Sequence, residues 1–181
     1  IVNGTIVASD LDNTTLSGST LKAAFGTYVA GDTLTINNQG TGAGQIGVSG
    51  SNITYAGTII GTFNGGTASD LVITLNSSSS PAAVQALVGQ LRYSSLSENP
   101  TTDGSNPSRA LTVSLNDNSA IGGGPAIASL TGSIAITAVN DAPILTATGV
   151  VGGAYTENGS GIPIVNGTIV ASDLDNTTLS G

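Results

Sequence analysis

Eleven carboxylates and three bases are the only charged side chains in this 181-residue chain, and the acids fall in groups. Asp10-Leu11-Asp12-Asn13 and Asp173-Leu174-Asp175-Asn176 each set two carboxylates one residue apart, with an amide following. Asn140 and Asp141 stand together before Pro143, and Glu157-Asn158 lies beyond it. Alternate carboxylates in a turn, with Asn and backbone carbonyl oxygens nearby, form the donor set of a hard divalent cation that takes about 6–8 oxygen ligands, Ca2+ above all. Without a cation these acids would repel each other, since no Lys or Arg lies close in sequence. The spacing is neither that of an EF-hand loop nor that of the glycine-rich nonapeptide repeat.

Other chemistry is closed off by composition. The chain has no Cys, His, Met or Trp, which excludes Ser-His-Asp and Cys-His catalysis, soft-metal sites and disulfides. A carboxylate pair remains, but Glu98 and Glu157 belong to different repeats in the organisation below, so no enzyme is expected. A net charge of −8 repels nucleic acid and anionic lipid surfaces. No stretch approaches the roughly 18 apolar residues of a membrane span. An extracellular or cell-surface location fits a cysteine-free chain.

The segment Ile1–Gly18 recurs without a change as Ile164–Gly181, a spacing of 163 residues. That period is too long for a solenoid repeat and suits one whole domain. Identity this complete over a polar, turn-rich segment is not demanded by folding and points to recent duplication of a unit that is useful in many copies. The expected organisation is a repeat over residues 1–143, lacking its first strand, and the start of the next over 144–181.

The elements that must position these acids are strands. Period-2 alternation marks Leu34–Ile36, Ile46–Val48, Ile53–Tyr55, Leu71–Leu75, Leu111–Leu115 and Ile134–Ile136 as antiparallel strands, with a further one around Tyr93. Gly31-Asp32, Ser49–Asn52, Asn64–Gly66 and Gly122–Gly124 supply the reversals, the hairpin at Ser49–Asn52 being the clearest. Asp32 and Asp70 read as solvated turn residues. One segment is helical: Ser80 as N-cap, Pro81 at the first position, and Val84, Leu87, Val88 and Leu91 on one face predict a short helix over 81–91 that caps the core or crosses between sheets. Asn99-Pro100, Asp103-Gly104 and Asn106-Pro107 make 97–108 a loop. The fold class is all-β, an antiparallel sandwich with one short helix.

The run Ile134-Ala-Ile-Thr-Ala-Val-Asn-Asp-Ala-Pro-Ile144 resembles the Val-Asn-Asp-Asn-Ala-Pro linker of cadherin repeats, shortened by one Asn and with Ala138 where cadherins carry Asp. Glu157-Asn158 followed by Asp173-Leu174-Asp175 is similar to the first-strand Pro-Glu-Asn and the later Asp-x-Asp of that family. Ser114–Asp117 resembles its Ala-x-Asp-x-Gly step. Val84 to Pro100 is similar to the chondroitin-sulfate-proteoglycan type of cadherin-like repeat found in giant bacterial surface proteins. The resemblance spans most of residues 84–175. It implies a Greek-key sandwich and calcium joints that draw ligands from two domains and the linker between them. Carried over, one joint would use Glu98, Asn140, Asp141, Asp173 and Asp175; Asp10, Asp12 and Asp117 would serve the joint before it, and Glu157 the joint after. Ala138 removes one carboxylate, implying fewer ions or weaker binding than in a full cadherin joint.

Together these features lead to the expectation of a calcium-rigidified repeat module in the stalk of an adhesin or surface fibre. Two alternatives stand beside it: a filament subunit assembling by strand complementation between repeats, and a calcium-independent spacer. The expected partners are neighbouring identical repeats, then other copies of the protein or a cell surface. Sugar binding on a sandwich face would rest on Tyr28 and Tyr55.

Overall fold

The computed structural model describes residues 15–118, 126–149, 152–165 and 167–175. The chain divides into two compact units, Ile1–Thr137 and Ala138–Gly181. The expected Gly122–Gly124 turn, Asp10 and Asp12 lie outside the described residues.

Unit 1 is built on a seven-stranded antiparallel sheet. Its strands are β1 (Thr20–Phe25), β3 (Ile46–Ser49), β4 (Asn52–Tyr55), β5 (Thr58–Gly65), β6 (Leu71–Leu75), β8 (Ser108–Asn116) and β9 (Ile127–Ala135), in the spatial order β3-β4-β5-β6-β1-β8-β9. β2 (Asp32–Ile36) and β7 (Leu91–Ser95) form a second, two-stranded sheet. Alternation does what period 2 requires: Leu21, Ala23 and Phe25 of β1, Leu34 and Ile36 of β2, and Leu71, Ile73 and Leu75 of β6 are buried while the residues between them are not. These residues from both sheets pack in one cluster with Ile46, Ile53, Ile60 and Val113, so the core fills the space between the layers of an all-β sandwich. Each fully buried Leu or Ile contributes about 1.5–3 kcal/mol.

The long-range pairing places β1 inside the sheet, between β6 and β8. Leu21 lies opposite Ile73 of β6 on one side and Leu115 of β8 on the other. The meander β3-β4-β5-β6 reads in chain order, with Ser49 paired to Asn52 across the expected hairpin and Gly50 at a φ of +57°. The β4–β5 register shifts between Ile53 and Thr54.

The one helix among the described residues, α1 (Pro81–Val88), lies in the chain between β6 and β7 and so carries it from one sheet to the other. Ser80 is the N-cap, its Oγ accepting the Ala83 N–H at 3.2 Å, and Ala83, Val84 and Leu87 are buried. The helix stops three residues earlier than its apolar spacing predicts. Gly89 is the C-cap, and Leu91 pairs with Ile36 as the first residue of β7.

Unit 2 contains a hairpin of β10 (Ile144–Ala147) and β11 (Ile169–Ser172), whose register pairs Ile144 with Ser172 and Ala147 with Ile169. All eight strand residues are exposed. Every buried apolar residue among those described lies between Leu16 and Val113, in unit 1.

Candidate functional site

The geometry of β10–β11 brings the linker and the Asp-x-Asp step together. Asp141 precedes β10 and Asp173 follows β11; because the strands are antiparallel and Ile144 faces Ser172, both acids emerge at the same end of the hairpin. The Asp141 N–H donates to Asp175 Oδ2. The Asp175 N–H donates to Asp173 Oδ1 at 2.9 Å, the local turn that an Asp side chain makes two residues on. The Asn140 amide donates to the Asp141 carbonyl at 2.9 Å. Asp141, Asp173 and Asp175 are half-buried, and unit 2 has no Lys or Arg to compete for them. Carboxylate and carbonyl oxygens are the right donors for a calcium ion. Among the described residues, no three acidic side chains converge closely enough to hold a metal ion.

The other acids of the expected joints have separate settings. Glu157 is exposed in the turn closed by the Gly159 N–H donating to the Thr156 carbonyl. Asp117 follows the last residue of β8: its N–H donates to the Ala126 carbonyl and its Oδ1 accepts the Ala126 N–H at 2.8 Å, which closes the approach to β9. Glu98 is exposed on the loop between β7 and β8.

Asp32 departs most from expectation. It is not a solvated turn residue but is fully buried, with Arg109 at 1 % exposure against it. Arg109 Nε meets Asp32 Oδ2 at 2.5 Å and Nη2 meets Oδ1 at 3.1 Å, a bidentate pair. Tyr93 donates its hydroxyl to Asp32 Oδ1 at 2.7 Å, and the Val29 N–H donates to Oδ2 at 2.8 Å. The remaining guanidinium donors reach the Pro100 carbonyl at 2.6 Å, the Asn106 carbonyl at 2.9 Å and the Ser108 carbonyl at 3.4 Å. All five guanidinium N–H groups are therefore used. The pair joins β2 to β8, hence one sheet to the other, and holds both ends of the 97–108 loop. Burial pushes the Asp32 carboxyl up, but hydrogen bonds from Arg109, the Val29 N–H and Tyr93, with the charge of Arg109, leave it below the ordinary value. The hydrogen bond to Asp32 holds Arg109 above its ordinary value despite burial. Burial, then Asp32, raises Tyr93.

Asp70 is likewise partnered: Lys22 Nζ lies 3.1 Å from Oδ2, and the Tyr28 hydroxyl donates to Oδ1 at 2.9 Å. Tyr28 and Tyr55 lie partly buried against the core. No described helix is long and apolar enough to cross a membrane. Comparison with known protein families, with curated proteins and with solved structures finds no match to this chain.

Proposed function

We propose that this chain is a repeat module of a long extracellular, cadherin-like protein, in which all-β domains follow one another and calcium at the joints stiffens the array. It serves as stalk or surface fibre and performs no catalysis. The observation that carries this reading is the hydrogen-bonded meeting of the linker's Asp141 with Asp175 and Asp173 at one end of the β10–β11 hairpin. Asp141, Asp173 and Asp175 do not converge on one point in this structure, so they would have to close together to hold the ion, with Asn140 beside them. The bound ion would supply charge neutralisation and a cross-link between linker and repeat. A linker free to pivot lets neighbouring domains swing, whereas ligation from both sides removes that freedom.

The test is a two-repeat chain melted and measured by small-angle scattering in millimolar calcium and in chelator, beside an Asp173→Ala/Asp175→Ala variant. At ~100 times the dissociation constant, one ion adds about 2.7 kcal/mol. The expected result is a higher melting temperature and a longer, stiffer particle in calcium, both lost in the variant. Identical melting and scattering in calcium and chelator would leave a calcium-independent spacer.

A further inference from the structure

The chain enters and leaves the seven-stranded sheet of unit 1 at opposite ends. β1 begins at Thr20, whose partner in β8 is Asn116, and Asn116 in turn faces Ile127, the first residue of β9. β9 runs from there to Ala135, opposite Ser108. β1 and β9 are both antiparallel to β8, so they run in the same direction on either side of it. Tension along the chain therefore draws Thr20 backward from one end of the sheet and Ala135 forward from the other. That pull lies along the strands and across the hydrogen bonds that join them, so it loads those bonds together instead of one after another.

Both ends of this three-strand assembly are fastened beyond the ladder itself. Where the chain enters, the Leu16 N–H donates to the Ser79 carbonyl at 2.9 Å and the Gly18 N–H to the Leu75 carbonyl at 3.0 Å. The Asn118 amide, just past β8, donates to the Gly18 carbonyl at 2.7 Å and to Thr20 Oγ1 at 3.1 Å. Where the chain leaves, the Ile136 N–H donates to the Pro107 carbonyl at 2.9 Å, and Arg109, opposite Ile134, is gripped by Asp32 of the second sheet. β8 is thus tied to the other layer at the end toward which β9 is drawn.

We propose that β1, β8 and β9 form a shear clamp, with β8 as its fixed middle strand, through which unit 1 bears tension carried along the chain. The inference rests on the reading of the chain as a stalk module, the setting in which every unit is under load. Failure under that load requires β9 or β1 to slide along β8 and break a run of bonds in one event. Parting β8 and β9 from their shared end at Ser108 and Ala135 would open the same ladder like a zipper, one pair at a time. Forced unfolding is governed by the unfolding rate, so the two directions of pull give different forces from one fold.

Single-molecule pulling on the whole 181-residue chain in chelator tests this. The chain has no cysteine, so handles attach only at introduced thiols. Thr15→Cys with Thr137→Cys loads β1 against β9, and Ser105→Cys with Thr137→Cys loads the shared end of β8 and β9; all three positions are exposed. The first pair is expected to unfold in a single event at clearly higher force than the second. A matched pair of prolines locates the clamp. The Asp117 N–H donates to the Ala126 carbonyl and the Ile136 N–H to the Pro107 carbonyl, and the alternation between these two points turns the Gly132 N–H toward Leu111 and the Thr131 N–H away from β8. Gly132→Pro is expected to lower the force in the first geometry, and Thr131→Pro to leave it nearly unchanged. Should Gly132→Pro fail to fold, the two handle geometries decide by themselves. A force in the first geometry no higher than in the second, or equal effects of the two prolines, would overturn the clamp. Because no calcium is present, that result leaves the calcium joint standing, whereas a working clamp beside melting and scattering that ignore calcium would remove the joint alone.

Discussion

At the residue scale, the buried pair Asp32–Arg109 sets how unit 1 responds to mutation and acid. Two charges out of water are tolerable because five guanidinium donors and both carboxylate oxygens are satisfied. Removing one partner leaves the other buried and alone, so Arg109→Ala and Asp32→Ala are each expected to cost about 3–5 kcal/mol in urea unfolding. Arg109→Lys is expected to recover little of this, because an ammonium cannot span Asp32 and three carbonyls as a planar fork does. The pH dependence follows from the depressed Asp32 carboxyl. Its contribution is complete above the ordinary value of 3.8 and is lost as pH falls through the lower, folded value. Asp32→Asn is expected to be less stable at neutral pH but to show a flatter acid limb in pH-dependent melting. The pair was legible in principle from strand parity. Arg109 shares a face with Leu111 and Val113 in β8, and Asp32 shares one with Leu34 and Ile36 in β2. A base on an inward face requires a buried acid. Reading Gly31-Asp32 as turn chemistry concealed it, because Asp is as common in turns as it is rare in cores. Of the acids suggested by family resemblance, only Asp141, Asp173 and Asp175 have their meeting written in local sequence, through the strands that flank them.

At the element scale, strands whose apolar residues alternate cleanly could be read directly: Leu71–Leu75 is β6, and Ser80-Pro81 opens α1. β1 and β5 could not. Thr20–Phe25 contains Lys22, Ala23 and Ala24, residues that favour helix, and it becomes a strand because β6 and β8 hydrogen-bond to it on both sides. β5 carries adjacent Ile59 and Ile60, the first exposed and the second buried, opposite the register shift in β4. The end of α1 was misread because Leu91 happens to continue the helical spacing, while pairing with β2 claims it. Two substitutions separate local from tertiary control. Ser80→Ala removes one cap and is expected to cost about 1 kcal/mol. Gly66 has a φ of +94°, and a Cβ there would lie 2.3 Å from the Leu34 carbonyl oxygen, which forces the β2 backbone aside. Gly66→Ala is thus expected to cost clearly more than about 1 kcal/mol, both values read from chemical denaturation.

At the scale of the whole chain, stability is unevenly held. Unit 1 contains all the described apolar core, whereas both strands of unit 2 are exposed. At concentrations where the chain is monomeric, amides of β10 and β11 are expected to exchange far faster than those of β1, β6 and β8, which should exchange only through global unfolding of unit 1. Hydrogen exchange read by mass spectrometry checks this. The duplicated ends made a repetitive protein evident from sequence, because identity needs no physics to see. The position of each strand in the sheet was not evident, since it depends on contacts between residues far apart. That distance has a consequence for how the protein is made. Thr20, at the head of the interior strand β1, is paired with Asn116. Until the ribosome has delivered β8, β1 has one neighbour instead of two, and Arg109 has not yet reached Asp32. A repeat wired in this way folds slowly, by closing large loops, and cannot finish before it is almost entirely synthesised. Under the extracellular role proposed above, export would gain from that delay: the chain would stay threadable until nearly the whole unit is available, and then close at once.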